Sequence, residues 1–338
     1  MAPPRDLPAQ PRAAIIAAMS ATLIVKTSSM GDVIQYLPAV TDLARHRPEI
    51  AVDWLVEAPF APLARLHPAV REIIPVRLRT WRRTLFTRRT RDAISTLIKT
   101  LRDARYVRTL DAQGLFKSAL LARAARAPIY GLGRGSAREA IATLFYDQSF
   151  DVSWDLHAVT RNRTLTAAAF GYPLDTGPDY GIQAPAAAPG AWKVDDAYAV
   201  LFTATARDEK LWPESHWIAL GKALGERGLR CALPAGNDAE RARATRIAAS
   251  VPSAELVPAM GLAELSRVIA DAQLAVGVDT GLSHLAAALR VPIAALYVAT
   301  EPGANGVAGD ASAINLGGTG QCPTPDDVLA ALAPWLPT

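Results

Sequence analysis

Two cysteines stand among 338 residues, Cys231 and Cys322, and no Cys-x-x-Cys or His/Cys cluster accompanies them. Neither a disulfide framework nor a zinc site is indicated. The five histidines, His46, His67, His157, His216 and His284, include no pair at metal-ligand spacing. No apolar run reaches the length needed to span a bilayer. The loop after the first apolar run, 27–32, holds neither GxGxxG nor the Gly-Lys-Ser/Thr of a Walker loop, so dinucleotide redox lacks its usual first-strand signature. Charge is sparse: 20% of residues are charged and the net is +4. Nucleic-acid binding needs a denser basic face than that; an acidic substrate or an anionic surface fits better.

What is present is apolar and regularly punctuated. Half the residues are hydrophobic, enough for two cores, and the length favours two domains. The first 18 residues read as a tail, or as sequence upstream of a start at Met19, with a signal peptide as the competing reading. Strands are expected at 22–26, 52–56, 72–76 and 106–110, alternating with helices beginning near Val33 and at 58–66 and 114–125. The stripe Val33, Ile34, Leu37, Val40 and Leu43 reads as one helix that tolerates Pro38 early in its course. A helix near 157–169 precedes 173–190, a Pro/Gly/Ala-rich linker. A second series follows, with strands at 197–202, 231–234, 274–278 and 293–298 and a closing helix at 325–332 capped by Thr324. Strands alternating with helices imply parallel βαβ units. The expected architecture is α/β: two Rossmann-like domains facing a central cleft, one over 21–180 and one over 190–338, after a tail at 1–20. Ligands of such sheets sit at the carboxyl ends of the strands, near the switch in strand order.

Several strand-end loops carry chemistry. The stretch 275–288 runs from an apolar strand through Asp279-Thr280-Gly281 into a small-residue helix with Ser283 and His284 in its first turn. Such a turn aims free backbone N–H groups and the positive end of a helix dipole at one spot, which suits phosphate. Thr205 and Lys210, after the first strand of the second half, offer a hydroxyl and a point charge to a diphosphate. Glu240 suits a ribose hydroxyl, or stabilises the first turn of its own helix. In the first half, Asp32 beside Gly31 is either a general base at the rim of the sheet or a helix cap. Gln113 and Lys117 are expected to face the cleft. Arg77, Arg79, Arg82, Arg83, Arg88, Arg89 and Arg91 crowd one segment with Trp81, Leu85 and Phe86, and no acid intervenes before Asp92. That segment reads as a solvated face, or as a contact for an anionic acceptor or membrane.

Four strings, Lys26-Thr-Ser-Ser-Met-Gly-Asp32, Asp111-Ala-Gln-Gly-Leu115, Arg207-Asp-Glu-Lys-Leu-Trp-Pro213 and Val278-Asp-Thr-Gly-Leu-Ser-His284, resemble in order and spacing those of bacterial lipopolysaccharide heptosyltransferases, glycosyltransferase family 9. The first string is most similar to that of the type I enzymes. The resemblance covers nearly the whole chain from Thr22. It implies a GT-B fold and an inverting, metal-independent transfer of L-glycero-D-manno-heptose from ADP-heptose to the Kdo of Kdo2-lipid A. It implies a peripheral location on the inner face of the cytoplasmic membrane, with no cofactor and no nucleic-acid partner. Asp32 matches the family's catalytic base. Thr205, Lys210, Thr280, Gly281 and His284 match diphosphate-binding positions, Glu240 the ribose contact, Met260 a neighbour of adenine and Asp279 a contact to the donor sugar. Arg79, Arg82 and Arg83 match a basic acceptor-side loop.

The chain departs from the family pattern at three places. Ala206 stands where a second threonine is common, Arg83 where lysine is frequent, and Tyr297-Val-Ala-Thr-Glu-Pro302 where Tyr-Gly-Pro-Thr-Asp-Pro is expected. Three readings compete with type I heptosyl transfer. They are type II transfer onto the first heptose, a nucleotide-dependent Rossmann oxidoreductase, and a non-catalytic sugar or nucleotide binder.

Overall fold

The computed structural model describes residues 20–337; the expected tail at 1–20 lies, Ser20 apart, outside the described residues. Among the described residues, twelve strands form two six-stranded sheets. The first sheet holds β1 (Ser20–Val25), β2 (Ile50–Glu57), β3 (Val70–Val76), β4 (Arg108–Asp111), β5 (Ile129–Leu132) and β6 (Gln148–Phe150). The second holds β7 (Tyr198–Phe202), β8 (Arg230–Leu233), β9 (Ala254–Leu256), β10 (Leu274–Val278), β11 (Ile293–Tyr297) and β12 (Ala313–Gly317). The orders are β3-β2-β1-β4-β5-β6 and β12-β11-β10-β7-β8-β9. Counted from its own first strand, each sheet has the order 3-2-1-4-5-6 of a dinucleotide-binding fold.

Every strand pairing is parallel; Thr22 of β1, for example, lies opposite Val52 of β2 and Arg108 of β4. Parallel sheets need cover on both faces, and the strand side chains supply it by alternation. Ile24, Trp54 and Val56 pack into the core that faces the other half, while Leu23, Val25 and Leu55 join Leu97, Leu101 and Ala122 on the outer face. The inner core is continuous between the halves, for it also takes in Leu285, Ala286, Tyr297 and Val307.

Four strands, β5, β6, β9 and β12, were not expected from the sequence. Three of them lie at sheet edges and β5 adjoins one. Edge strands are short and half-solvated, so they lack the apolar run that marks a central strand. The helix expected to run through Pro38 is two helices, Met30–Ile34 and Leu37–His46. Proline has no N–H and its ring clashes with the carbonyl four residues back; that residue is Ile34, where the first helix stops. The helix expected at 58–66 shrinks to a 3₁₀ turn, Ala58–Phe60, and the single turn Ala61–Ala64. The closing helix does run Pro325–Leu332, and the Thr324 side chain accepts from Asp327 N.

Hydrogen bonds join the halves beside the cleft, Gln35 Nε2 donating to Asn305 O at 3.4 Å among them. Ala158 N donates to Ala304 O at 2.8 Å, the His157 ring Nε2 donates to Gly306 O at 3.0 Å, and Tyr180 Oη donates to Ala308 O at 2.9 Å. The 304–308 segment of the second half therefore rests on the start of the helix Ala158–Phe170 in the first.

Candidate active site

A cleft of about 1110 Å³ opens between the two sheets. Its walls come from the segments after β1, β2, β3 and β5 on one side and after β7, β8, β9, β10 and β11 on the other. The β1/β4 and β7/β10 pairs are where strand order reverses, which is where such sheets bind ligands. Asp32, Arg79, Thr205, Lys210, Glu240, Met260, Asp279, Thr280, Gly281 and His284 all line this one cleft.

Two short helices meet across it. A Cβ added to Gly31 would lie 3.2 Å from the His284 ring, and one added to Gly281 would lie 2.6 Å from Met30 Sδ. Each helix start thus carries a glycine where the opposite helix approaches, and no larger residue fits at Gly281 without moving Met30. This packing sets the separation between Asp32 and the Asp279-Thr280-Gly281 turn.

Asp32 is both a helix-start residue and a cleft residue. Its Oδ2 accepts from Ser29 N at 2.7 Å and from Ser29 Oγ at 3.0 Å. Its Oδ1 accepts from Arg138 Nη2 at 2.8 Å. Burial works to raise the pKa of this carboxyl, but Lys26, Arg138 and the two Ser29 donors outweigh it and hold the group below its usual value. Asp32 is therefore ionised at neutral pH and its acceptor lone pairs face the cleft.

Asp279 organises the opposite wall. Its Oδ2 accepts from Lys210 Nζ at 2.5 Å and from Thr300 Oγ1 at 2.8 Å, while its carbonyl accepts from Thr205 Oγ1 at 2.9 Å. The helix Gly281–Ala288 starts directly after. A cation, two hydroxyls and a helix N-terminus converge on one spot, an arrangement whose charge and donors suit a diphosphate. Glu240 is occupied by its own loop: Oε2 accepts from Gly236 N at 2.7 Å and Oε1 from Asn237 Nδ2 at 2.7 Å. It keeps a place on the wall of the cleft, which Met260 also lines.

His284 is buried, and burial foremost lowers its pKa from 6.5 to about 4 despite the nearby Asp279. His67, also buried, falls to about 4 for the same reason, opposed by Asp179. Both are neutral in the folded chain near pH 7. A histidine depressed in this way contributes stability above pH 6.5, and that contribution is lost as pH falls toward 4. The urea midpoint should therefore decline through this window. An unchanged slope in a His67→Gln/His284→Asn double variant would remove these two groups as its source.

Of the remaining expected residues, Gln113 does not line the main cleft. It is buried, and its Oε1 accepts from Thr27 N at 2.9 Å and Ser28 N at 3.2 Å, so it holds the loop that carries Asp32. Lys117 is exposed on the helix Phe116–Ala124 and lines no part of the cleft. The expectation that both face the main cleft is corrected: Gln113 turns under the Asp32 loop and lines only the smaller adjoining cavity, and Lys117 lies on the exposed side of its helix, past the turn at Gly114 with its φ of +69°. Arg82 and Arg83 are exposed on the helix Leu78–Arg83 outside the cleft lining, whereas Arg79 lies within it.

The sequence reading missed Lys26, Arg138, Arg161 and Thr300. Arg138 sits in the loop after β5, a strand too short to be noticed, and the glycines at 131, 133 and 135 were the available signal. Thr300 lies within the divergent Tyr297–Pro302 string, and that string nonetheless keeps its contact to Asp279. Among the described residues no group of three or more His, Cys, Asp or Glu side chains is arranged to hold a metal ion.

The family model for glycosyltransferase family 9 (heptosyltransferase) matches residues 94–327. The lipopolysaccharide heptosyltransferase 1 of Pseudomonas aeruginosa is 44% identical over 305 residues, covering 89% of this chain and 84% of that protein. A solved structure of the E. coli heptosyltransferase WaaC with ADP superimposes with a TM-score of 0.87 at 38% identity, over 93% of this chain and 99% of that one. The same E. coli protein with ADP-2-deoxy-2-fluoro heptose gives 0.83 at 38% identity, with the same coverage.

Proposed function

The chain belongs to glycosyltransferase family 9, the heptosyltransferases, and on that premise we propose that it moves L-glycero-D-manno-heptose from ADP-heptose to the Kdo of Kdo2-lipid A. It is a glycosyltransferase of lipopolysaccharide core biosynthesis, and the oxidoreductase and non-catalytic readings fall away. Type I transfer is favoured over type II by the 44% identity to a heptosyltransferase 1. The observation that carries the chemistry is that Asp32 and the Lys210–Asp279–Gly281 cluster, from opposite halves of the chain, line one cleft.

In this reading residues 21–180 form the acceptor domain and 190–338 the donor domain. The acceptor hydroxyl attacks the anomeric carbon of the donor from the first-half side. Its proton passes to the Asp32 carboxylate as the new C–O bond forms. The bond from the anomeric carbon to the diphosphate oxygen breaks, and ADP departs with the bonding pair. Lys210, Thr205 and the N–H groups at Thr280–Gly281 stabilise the charge that develops there. Asp279, held by Lys210 and Thr300, lies where the sugar would sit; Glu240 takes the ribose and Met260 borders the adenine. Attack opposite the leaving group inverts the anomeric centre.

Association with the inner membrane surface belongs to the same proposal. No helix among the described residues is long and apolar enough to cross a membrane. Phe86 is 91% exposed beside half-exposed Leu85, flanked by the exposed Arg82, Arg83, Arg88, Arg89 and Arg91. Apolar tips amid cations suit an anionic lipid surface.

Mass spectrometry of Kdo2-lipid A incubated with ADP-heptose and the protein tests the reaction. One added heptose is expected; heptose appearing only on an already heptosylated acceptor would overturn type I transfer. Lys210→Met tests the donor side. It should weaken ADP binding and slow transfer by about 10²–10³-fold, the usual cost of removing a donor to a developing anion. Unchanged ADP affinity in calorimetry would take Lys210 out of the phosphate site.

A further inference from the structure

The string Tyr297–Pro302 departs from the family pattern, with Val298-Ala299 where Gly-Pro is expected and Glu301 in place of aspartate. It nonetheless reaches the cleft, which Tyr297, Thr300 and Glu301 line. Without the proline ring to fix the backbone, its course has to be set by contacts. Those contacts are present. Glu301 Oε1 accepts from Thr319 N at 2.8 Å, and Val298 O accepts from Gly320 N at 3.3 Å. Both tie the string to the turn after β12. At its other end Pro302 O accepts from Asn305 N at 3.1 Å, in the segment that rests on the first half.

The string so held aims one hydroxyl at the site. Thr300 Oγ1 donates to Asp279 Oδ2, the same oxygen that accepts from Lys210 Nζ. Thr205 Oγ1 donates to the Asp279 carbonyl. Two threonines, after β7 and β11, thus pin one aspartate at its main chain and at its side chain, and neither needs the lysine. Threonine suits the task, because its branched Cβ leaves χ1 few states and the hydroxyl is aimed in advance. Lys210 is a different kind of partner. It extends from the single turn Asp208–Lys210, and among the described residues its ammonium has no acceptor other than Asp279. Its flexible stem carries a point charge with three donors. A diphosphate at the Gly281 helix start brings more negative charge than one carboxylate and competes for that ammonium.

We propose that Lys210 is handed from Asp279 to the diphosphate when the donor binds, and that Thr300 is the positioning residue that then keeps Asp279 aimed at the donor sugar. This rests on the reading of Asp279 as a sugar contact. It divides the cluster in two. Lys210 serves the nucleotide; Thr300, acting only through Asp279, serves the choice of sugar.

Calorimetry without acceptor, using ADP and ADP-2-deoxy-2-fluoro heptose, reads how much the sugar adds to binding. Thr300→Val removes the hydroxyl and keeps the shape of the side chain. It should weaken binding of the sugar analogue by about tenfold, the lower end of the range for a hydrogen bond to a charged group, and leave ADP binding unchanged. Thr300→Ser should recover most of the loss, and a thermal melt checks that both variants fold. Asp279→Ala should lose the analogue's advantage over ADP. It should bind ADP at least as tightly as wild type, because Lys210 no longer has to leave a carboxylate. Adding Thr300→Val to Asp279→Ala should change nothing further. In steady-state assays Thr300→Val should raise the KM for ADP-heptose by about the same tenfold and leave the acceptor KM alone.

A Thr300→Val variant that keeps the wild-type preference for the analogue, or that loses ADP and analogue alike, overturns the positioning role. So does a further loss when Thr300→Val is added to Asp279→Ala. Weaker ADP binding by Asp279→Ala overturns the handover of Lys210. Equal affinity of the wild type for ADP and the analogue, or a preference that survives Asp279→Ala, overturns instead the reading of Asp279 as the sugar contact. The binding measurements use no lipid acceptor, so failure of transfer to Kdo2-lipid A would leave the proposal standing.

Discussion

Asp32→Asn is expected to slow heptosyl transfer by about 10²–10⁴-fold, the range for losing a general base. The amide keeps the size of the carboxylate and one oxygen to accept from Ser29 N, so the helix start at Met30–Ile34 stays capped. The ion pair with Arg138 is lost, but that arginine is half exposed, and such pairs contribute little to stability. The melting temperature should therefore stay close to wild type. ADP affinity should also be unchanged, because the Lys210–Asp279–Gly281 cluster proposed to hold the diphosphate lies on the other wall. What the amide cannot do is take the acceptor's proton.

The pH profile gives a second readout of the same residue. Lys26, Arg138 and Ser29 hold the Asp32 carboxyl below its usual value, so kcat/KM should be flat through neutrality and fall only in acid, where the base becomes protonated. ADP release measured at saturating acceptor decides the matter: a variant within tenfold of wild type would end the assignment of Asp32 as the base.

Arg163→Leu should destabilise the first half by about 3–5 kcal/mol, the cost of leaving one member of a buried ion pair alone. Arg163 Nε donates to Asp42 Oδ2 at 2.6 Å, and Nη2 donates to Asp42 Oδ1 at 3.3 Å and to Thr176 O at 2.7 Å. Both side chains are almost wholly buried, and Asp42 accepts from no other group among the described residues. In a domain of this size the loss corresponds to a fall in melting temperature of roughly 6–20 °C. Replacing both residues by leucine should recover most of it, because two apolar side chains leave no charge unpaired. A single variant that melts within 2 °C of wild type would show that Asp42 finds another partner. The pair ties the helix Leu37–His46 to the helix Ala158–Phe170, and the latter's first turn carries Arg161 and Asn162. A weakened pair should therefore also loosen the wall behind Asp32.

The central strands were legible because a strand buried on both faces is a run of apolar residues. β1, β2, β7 and β10 are all of this kind. The turns that follow them were legible too, since Gly31-Asp32 and Asp279-Thr280-Gly281 carry the small and polar residues that a strand-to-helix corner demands. The half-solvated strands β6, β9 and β12 and the four-residue β5 were too short or too polar to give that signal, and Arg138 was hidden with them. Gln113 and Lys117 were read as a pair facing the cleft because they flank one turn. The backbone at Gly114 separates them: Gln113 turns inward to hold the Asp32 loop and Lys117 outward to solvent.

Sequence alone determined the local pieces: two series of alternating strands and helices, a base candidate at Asp32 and a candidate anion-binding turn around Gly281. Periodicity, capping and turn chemistry act over a few residues, and a few residues suffice to read them. Only the tertiary structure decided that Gly31 and Gly281 meet the opposing helices, that Asp279 gathers Lys210 and Thr300, and that Lys26, Arg138 and Arg161 surround a cavity behind Asp32. Electrostatic and packing interactions depend on distance in space, and these residues become neighbours only when two sheets with the same strand order face each other at their points of reversal.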